Sequence, residues 1–240
     1  TWTSLALHAA RYFWKLDTFA IQWVVLSATF GPLLGAPISS IALRHIEKRT
    51  LSIGAFLAIA LLQMWPPLLY LYGPFTITPD IAAIMLVING LLVGTAIMVG
   101  GVGFQSMLAD TADEHEYLFG VRREGLFFSG LTLAYKGSAA LGGLIAGVAL
   151  DLIHFPSDIA SSESTLVIPA EVLEKLGLVA GPLPAAFAAL APLFLLGYHL
   201  TRKRHADIIA ELARRNKAEH PSTAPSDSHD KHRAATRPRP

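Results

Sequence analysis

Five apolar runs, each close to the length of a membrane crossing, leave this chain few ways to fold. They cover roughly residues 17–43, 51–72, 81–109, 125–150 and 181–200. A hydrocarbon layer of about 30 Å takes around 20 apolar residues in a helix. Between the third and fourth runs lies SMLADTADEHEYLFGVRREG, residues 106–125. A soluble core would not tolerate such dense charge against apolar sequence on both sides, but a loop between two spans would. Across the 240 residues 52% are hydrophobic and 15% charged, against about 25% charged in a soluble domain. The expected fold is an all-α membrane protein in a lipid bilayer, with five complete transmembrane helices. The apolar fragment at residues 2–14 is too short to span and carries His8 and Arg11. It reads as the end of a sixth helix whose beginning is missing.

Basic residues fix the expected orientation. They gather after the first run (Arg44, Lys48, Arg49), the third (Arg122, Arg123) and the fifth (Arg202, Lys203, Arg204), while residues 73–80 carry none. By the positive-inside rule these three connections and the C-terminus are cytoplasmic, and the protein sits in a plasma membrane, a bacterial inner membrane by preference. The long outer connection from Asp151 to Gly181 holds either a short interfacial helix or a surface loop. Residues 1–200 form the transmembrane part. Residues 201–220 read as a cytoplasmic amphipathic helix, with Ile208, Ile209, Leu212 and Ala213 on one face, which either rests on the anionic inner leaflet or simply ends the last span. Residues 221–240 lack core formers and are expected to be disordered. The chain has no cysteine, which excludes disulfides and thiolate chemistry. The basic residues form no single surface for nucleic acid, and no metal or other cofactor is expected.

Lys136 lies about eleven residues into the fourth run, near the bilayer midplane. A lysine there costs on the order of 2.5 to 3.5 kcal/mol on insertion scales, so it is expected to face the bundle interior or a wet cavity and to find a partner. No acidic residue of the other spans lies at matching depth. Around it Ser138, Gly142, Gly143 and Gly147 allow close helix approach, and Gly90, Gly94, Gly100, Gly101 and Gly103 do so in the third run. Asn89, Gln105, Gln63 and Gln22 are the other polar groups in the apolar runs; each is either an interhelical hydrogen-bond partner or, for Asn89 and Gln105 with Lys136 and Tyr135, part of a solute or cation pathway. In the charged loop, Asp110, Asp113 and Glu116 follow one helical face. With Arg122, Arg123, Glu124 and the 44–49 basic cluster they make a salt-bridge hub, a cytoplasmic gate. Acid-base catalysis is a poor fit, because the ionisable cluster is wet and no nucleophile and base share a depth.

These residues carry a resemblance. The segment 107–155 is similar to the corresponding region of the glycoside-pentoside-hexuronide:cation symporters, the melibiose-permease-like branch of the major facilitator superfamily. The pattern is met by Ala109 and Asp110, Asp113 to Tyr117, Gly120 and Arg122, Glu124 and Gly125, and Lys136 with Gly137 and Ser138. The early ARYFWKLDTFAIQ, residues 10–22, also resembles the family. The resemblance implies the C-terminal six-helix bundle of a twelve-helix carrier, working by alternating access and moving a carbohydrate or related solute with Na+ or H+. It implies an N-terminal six-helix half as partner, with most cation-binding carboxylates there, and places Lys136 near the sugar and cation sites. Where some members offer a tryptophan to a sugar ring, VGGVG at 99–103 offers no aromatic, which argues against a galactoside-type substrate; Tyr135 is the available substitute. The competing reading is a truncated, non-transporting membrane protein that serves as an assembly or sensory partner.

Overall fold

A computed structural model describes residues 2–156 and 168–219. The chain opens with α1 (Trp2–His8), which widens into a π-helical segment (Ala9–Phe13). Seven more helices follow: α2 (Thr18–His45), α3 (Lys48–Tyr72), α4 (Pro79–Phe119), α5 (Glu124–Leu152), α6 (Ala170–Ala180), α7 (Pro182–Leu195) and α8 (Arg202–Glu219). Among the described residues there is no strand, and five segments are long and apolar enough to cross a membrane: α2, α3, α4, α5, and α6 with α7 as Ala170–Leu195. The protein is an all-α membrane protein.

Local chemistry sets the helix ends. Asp17 Oδ1 accepts from Ala20 N at 2.8 Å and starts α2, satisfying one of the amides that a helix N-terminus leaves open. Thr78 caps α4, whose first residue is Pro79, a position where proline's missing N–H costs nothing. Gly120 ends α4 at φ +70°, a left-handed conformation that favours glycine.

Two spans differ from the expectation. Instead of stopping at 109 and giving way to a loop, α4 runs on to Phe119, so its 41 residues extend about 60 Å, twice the hydrocarbon thickness. No proline or glycine interrupts residues 104–119, and the charged side chains find partners along the helix. The true loop is only residues 120–123. The last span also shifts: residues 181–200 were expected, but the helix ends at Leu195 and the membrane-length segment begins at Ala170. The short helix expected near the outer interface is therefore α6, the first part of that span. Its Leu176 is fully buried in a cluster with Phe13, Trp14, Leu16 and Ala82, and Gly177 sits against the Phe13 ring with no room for a Cβ. The polar stretch at 158–165 and the tail at 221–240 lie outside the described residues.

Small residues bring α2 and α4 together. Ser27, Gly31, Gly35 and Ser39 recur every fourth residue on α2 and are buried, one row on a helical face. A Cβ on Gly94 would come 2.5 Å from Ala28 O, so the backbones touch. Thr95 Oγ1 uses that closeness to donate to Gly31 O at 3.0 Å. In a membrane, where lipid is as apolar as leucine, such packing and hydrogen bonding replace the hydrophobic drive. Against α3 the same helix offers Gly100 to Ala55 and Gly103 to Ser52.

By contrast α5 stands nearly alone. Its apolar window is only 6% buried, and the two buried residues of the whole helix, Ala146 and Ala149, lie toward the end far from its charged start. Residues 132–141 are all exposed. The amphipathic segment expected at 201–220 forms α8, whose apolar face is partly covered: Ile208 is 1% exposed where α8 packs on the extension of α4, while Ile209 and Ala213 stay exposed.

Candidate functional site

The extension of α4 brings Asp110, Asp113, Glu116 and Tyr117 onto one side at three- and four-residue spacing, the spacing of helical neighbours. Asp110 is 5% exposed, deep enough that an unpaired carboxylate would be costly. Lys48 opens α3 and supplies the counter-charge, its Nζ donating to Oδ1 at 2.7 Å and to Oδ2 at 2.6 Å. Tyr198, in the segment between α7 and α8, donates to Asp110 Oδ2 at 3.5 Å. Burial and the neighbouring Asp110 charge push the Tyr198 phenol well above its ordinary range. It remains a protonated donor throughout the physiological range.

Around this pair the other charges close a ring. His205 on α8 places Nε2 3.1 Å from Asp113 Oδ2 and 3.4 Å from Asp110 Oδ1. Arg122, in the loop before α5, lies 3.5 Å from Asp113, 3.6 Å from Glu116 and 3.1 Å from Glu124. The buried Glu116 Oε2 accepts no hydrogen bond among the described residues, so the Arg122 charge is what offsets it. Arg202 donates to Leu43 O, Arg44 O and Ile46 O, satisfying carbonyls that the end of α2 leaves open. Arg49 does the same for Leu196 O. Arg215 donates to Tyr117 O at 3.0 Å and lies 4.7 Å over the Tyr117 ring. The network ties the ends of α2, α3 and α4 to the start of α5 and to α8.

Of the residues expected in a gate, Asp110, Asp113, Glu116, Arg122 and Glu124 meet here. Arg123 does not: it is exposed at the start of α5 and pairs with nothing among the described residues. Sequence reasoning passed over Tyr198 and His205, and read Arg202 only as one of the basic residues that set orientation. For His205 a signal existed, because positions 205, 208 and 212 share the helical face that carries Ile208 and Leu212.

The four residues expected along a pathway do not converge. Asn89 and Gln105 are both on α4 but about 24 Å apart along its axis. Asn89 is 9% exposed and accepts from Trp65 Nε1 at 2.9 Å, so it does act as an interhelical partner. It also borders a cavity of about 380 Å³ lined mostly by apolar side chains, Phe13, Trp14 and Pro67 among them. Gln105 is exposed. Lys136 and Tyr135 lie on the bare stretch of α5, with Tyr135 57% exposed. Expected in the bundle interior or against a wet cavity, Lys136 does not face the interior formed by the described helices, because residues 132–141 are exposed, and its ammonium has no partner among the described residues. No cluster of three metal-ligating side chains occurs among the described residues.

Residues 1–202 match the family described as MFS/sugar transport protein. An uncharacterized symporter of Synechocystis is 25% identical over 234 residues, which cover 90% of this chain and 43% of that protein. A glucuronide carrier protein homolog of Escherichia coli is 29% identical over 199 residues, 82% of this chain and 39% of its own. Another Escherichia coli protein, named for sulfoquinovose import, is 36% identical over 115 residues, 48% of this chain and 23% of its own. The chain thus spans less than half the length of these curated relatives. No solved structure matches it.

Proposed function

This chain belongs to the MFS/sugar transport protein family, and on that premise we propose that it is the C-terminal helical part of a cation-coupled symporter that moves an acidic sugar by alternating access. The observation that carries the proposal is the bare face of α5. A lysine exposed to hydrocarbon at mid-span costs on the order of 2.5 to 3.5 kcal/mol. Lys136 sits on a face that no described helix covers, so another set of helices, with a wet path between, is what makes the position tenable. An upstream helical half is that cover. Sites between two helical halves, near the midplane, are where secondary carriers bind solute and ion.

Two relatives are named for glucuronide and sulfoquinovose, sugars that bear an acid group. A fixed ammonium facing a wet path suits such a solute, because a charge-assisted hydrogen bond to a carboxylate or sulfonate is about twice as strong as a neutral one. Tyr135, next to it, offers a ring and a hydroxyl. The coupling ion is Na+ or H+, with its carboxylates supplied by the upstream half. With the basic-rich end cytoplasmic, the Lys48, Asp110, His205 and Arg122 network becomes the inner gate. The exposed Arg122 pairs each contribute about 1 kcal/mol or less, the more buried Lys48–Asp110 pair contributes more, and together they set whether the inner helix ends stay closed.

The test is uptake of a sugar panel into vesicles carrying the full-length parent, driven by a Na+ or H+ gradient, with Lys136→Ala beside it. Gradient-driven uptake of acidic sugars, abolished in Lys136→Ala, is the expected result. Unchanged uptake and coupling in the variant would overturn the role given to Lys136, and no uptake of any sugar would overturn the carrier reading.

A further inference from the structure

We infer that α8 is a proton-sensitive strap: its docking across the inner helix ends is held by a charged His205 and loosens when that imidazole loses its proton. The local charge count carries the inference. Asp110, Asp113, Glu116 and Glu124 are four carboxylates with two cations among them, Lys48 on Asp110 and Arg122 on the other three. That leaves two negative charges in excess, and the imidazole Nε2 sits within 3.4 Å of two of the carboxylates. A proton on His205 halves the excess at the point where α8 meets α4. Histidine is the side chain that titrates between pH 5 and 8.

Every element facing His205 adds a titratable or charged group. On α4 these are Asp110 and Asp113, with Glu114 and Glu116 nearby; α3 brings Lys48, preceded by Glu47; the 120–123 loop brings Arg122 and the 196–201 segment brings Tyr198. The His205 side chain is 23% exposed, so solvent protons reach it and salt screens it only in part. The other anchors of α8 do not titrate in this range. Ile208 is buried, Arg202 holds the carbonyl end of α2, and Arg215 holds Tyr117 O. Of the contacts that seat the strap, His205 is therefore the one that a shift in cytoplasmic pH can switch. One such partly screened pair shifts the docked-to-free ratio about five-fold.

The strap rests on the preceding reading only for which side of the membrane it faces, and its test does not use transport. This chain carries no cysteine, so a cysteine-free full-length parent can take spin labels at Ala210→Cys on α8 and Leu61→Cys on the exposed flank of α3. The distance between labels is read in reconstituted vesicles at pH 6 and pH 8.5. In the wild-type background a single narrow distance at pH 6 gives way to a broader distribution at pH 8.5. His205→Arg, with a permanent charge, stays narrow at both pH values, and His205→Gln is broad at both. A wild-type distribution that does not change with pH overturns the inference, as does a pH response that survives in His205→Gln. A pH-dependent strap in a protein that transports nothing would keep this inference and sink the carrier reading.

Discussion

Replacing Lys48 by methionine removes the cation that faces Asp110 and keeps the length of the side chain. The two groups are 2.6 Å apart, with the aspartate side chain 8% and the lysine side chain 25% exposed. Breaking a fully buried ion pair by deleting one partner costs about 3 to 5 kcal/mol, because the remaining charge is left uncompensated. Here the penalty is smaller: water reaches a quarter of the lysine, and Asp110 keeps Tyr198 and His205 as neighbours. The expected loss is about 2 kcal/mol, between the fully buried figure and the 1 kcal/mol or less of an exposed pair. If the loss comes from a stranded carboxylate, Asp110→Asn restores part of it. A double-mutant cycle then gives a coupling of about 1 to 2 kcal/mol. The measurement is equilibrium unfolding in detergent, followed by tryptophan fluorescence, for the wild type, the two single variants and the double. Additive effects, or a Lys48→Met protein as stable as the wild type, would refute the claim that this pair holds this end of the helices together.

Gly94→Ala places a methyl 2.5 Å from Ala28 O and 3.0 Å from Gly31 Cα; forcing α2 from α4 costs about 1 to 3 kcal/mol, read in the same unfolding assay, and a Gly94→Ala protein of wild-type stability would contradict the close seam. Tyr198 gives a pH signature. Its phenol is raised in the folded state by burial and by Asp110, so the unfolded chain releases that proton first and the folded state loses stability as pH climbs through 10. Tyr198→Phe removes that part of the loss; identical alkaline unfolding profiles for variant and wild type would contradict it.

Span number and family were legible because both depend on local pattern. Apolar runs of membrane length mark helices wherever they occur, and the residues from Ala109 to Gly125 with Lys136 carry the family motif in one stretch. The extent of α4 was harder to see. Dense charge reads as the end of a membrane helix, whereas residues 110–119 stay helical because Lys48, Arg122 and His205 come from three other places in the chain to neutralise them. No window of sequence contains all four elements. The isolation of α5 was hidden for the opposite reason. Its glycines and serine look like a packing face, and Gly137 and Gly147 do leave room for a neighbour, but a pattern shows that a face wants a partner and not which helices provide it. Asn89 illustrates the same ambiguity, since its depth fitted either a pathway or a structural bond, and the indole of Trp65 answers for one face of its carboxamide.

The central claim is that the uncovered face of α5 borders a water-filled solute path between two helical halves. Lys136→Cys in a cysteine-free full-length parent tests it most directly, through the rate at which a membrane-impermeant thiol reagent labels the cysteine with and without transported sugar. The account predicts fast labelling that the sugar slows. A cysteine that only a lipid-soluble reagent reaches, at a rate no sugar changes, would contradict it.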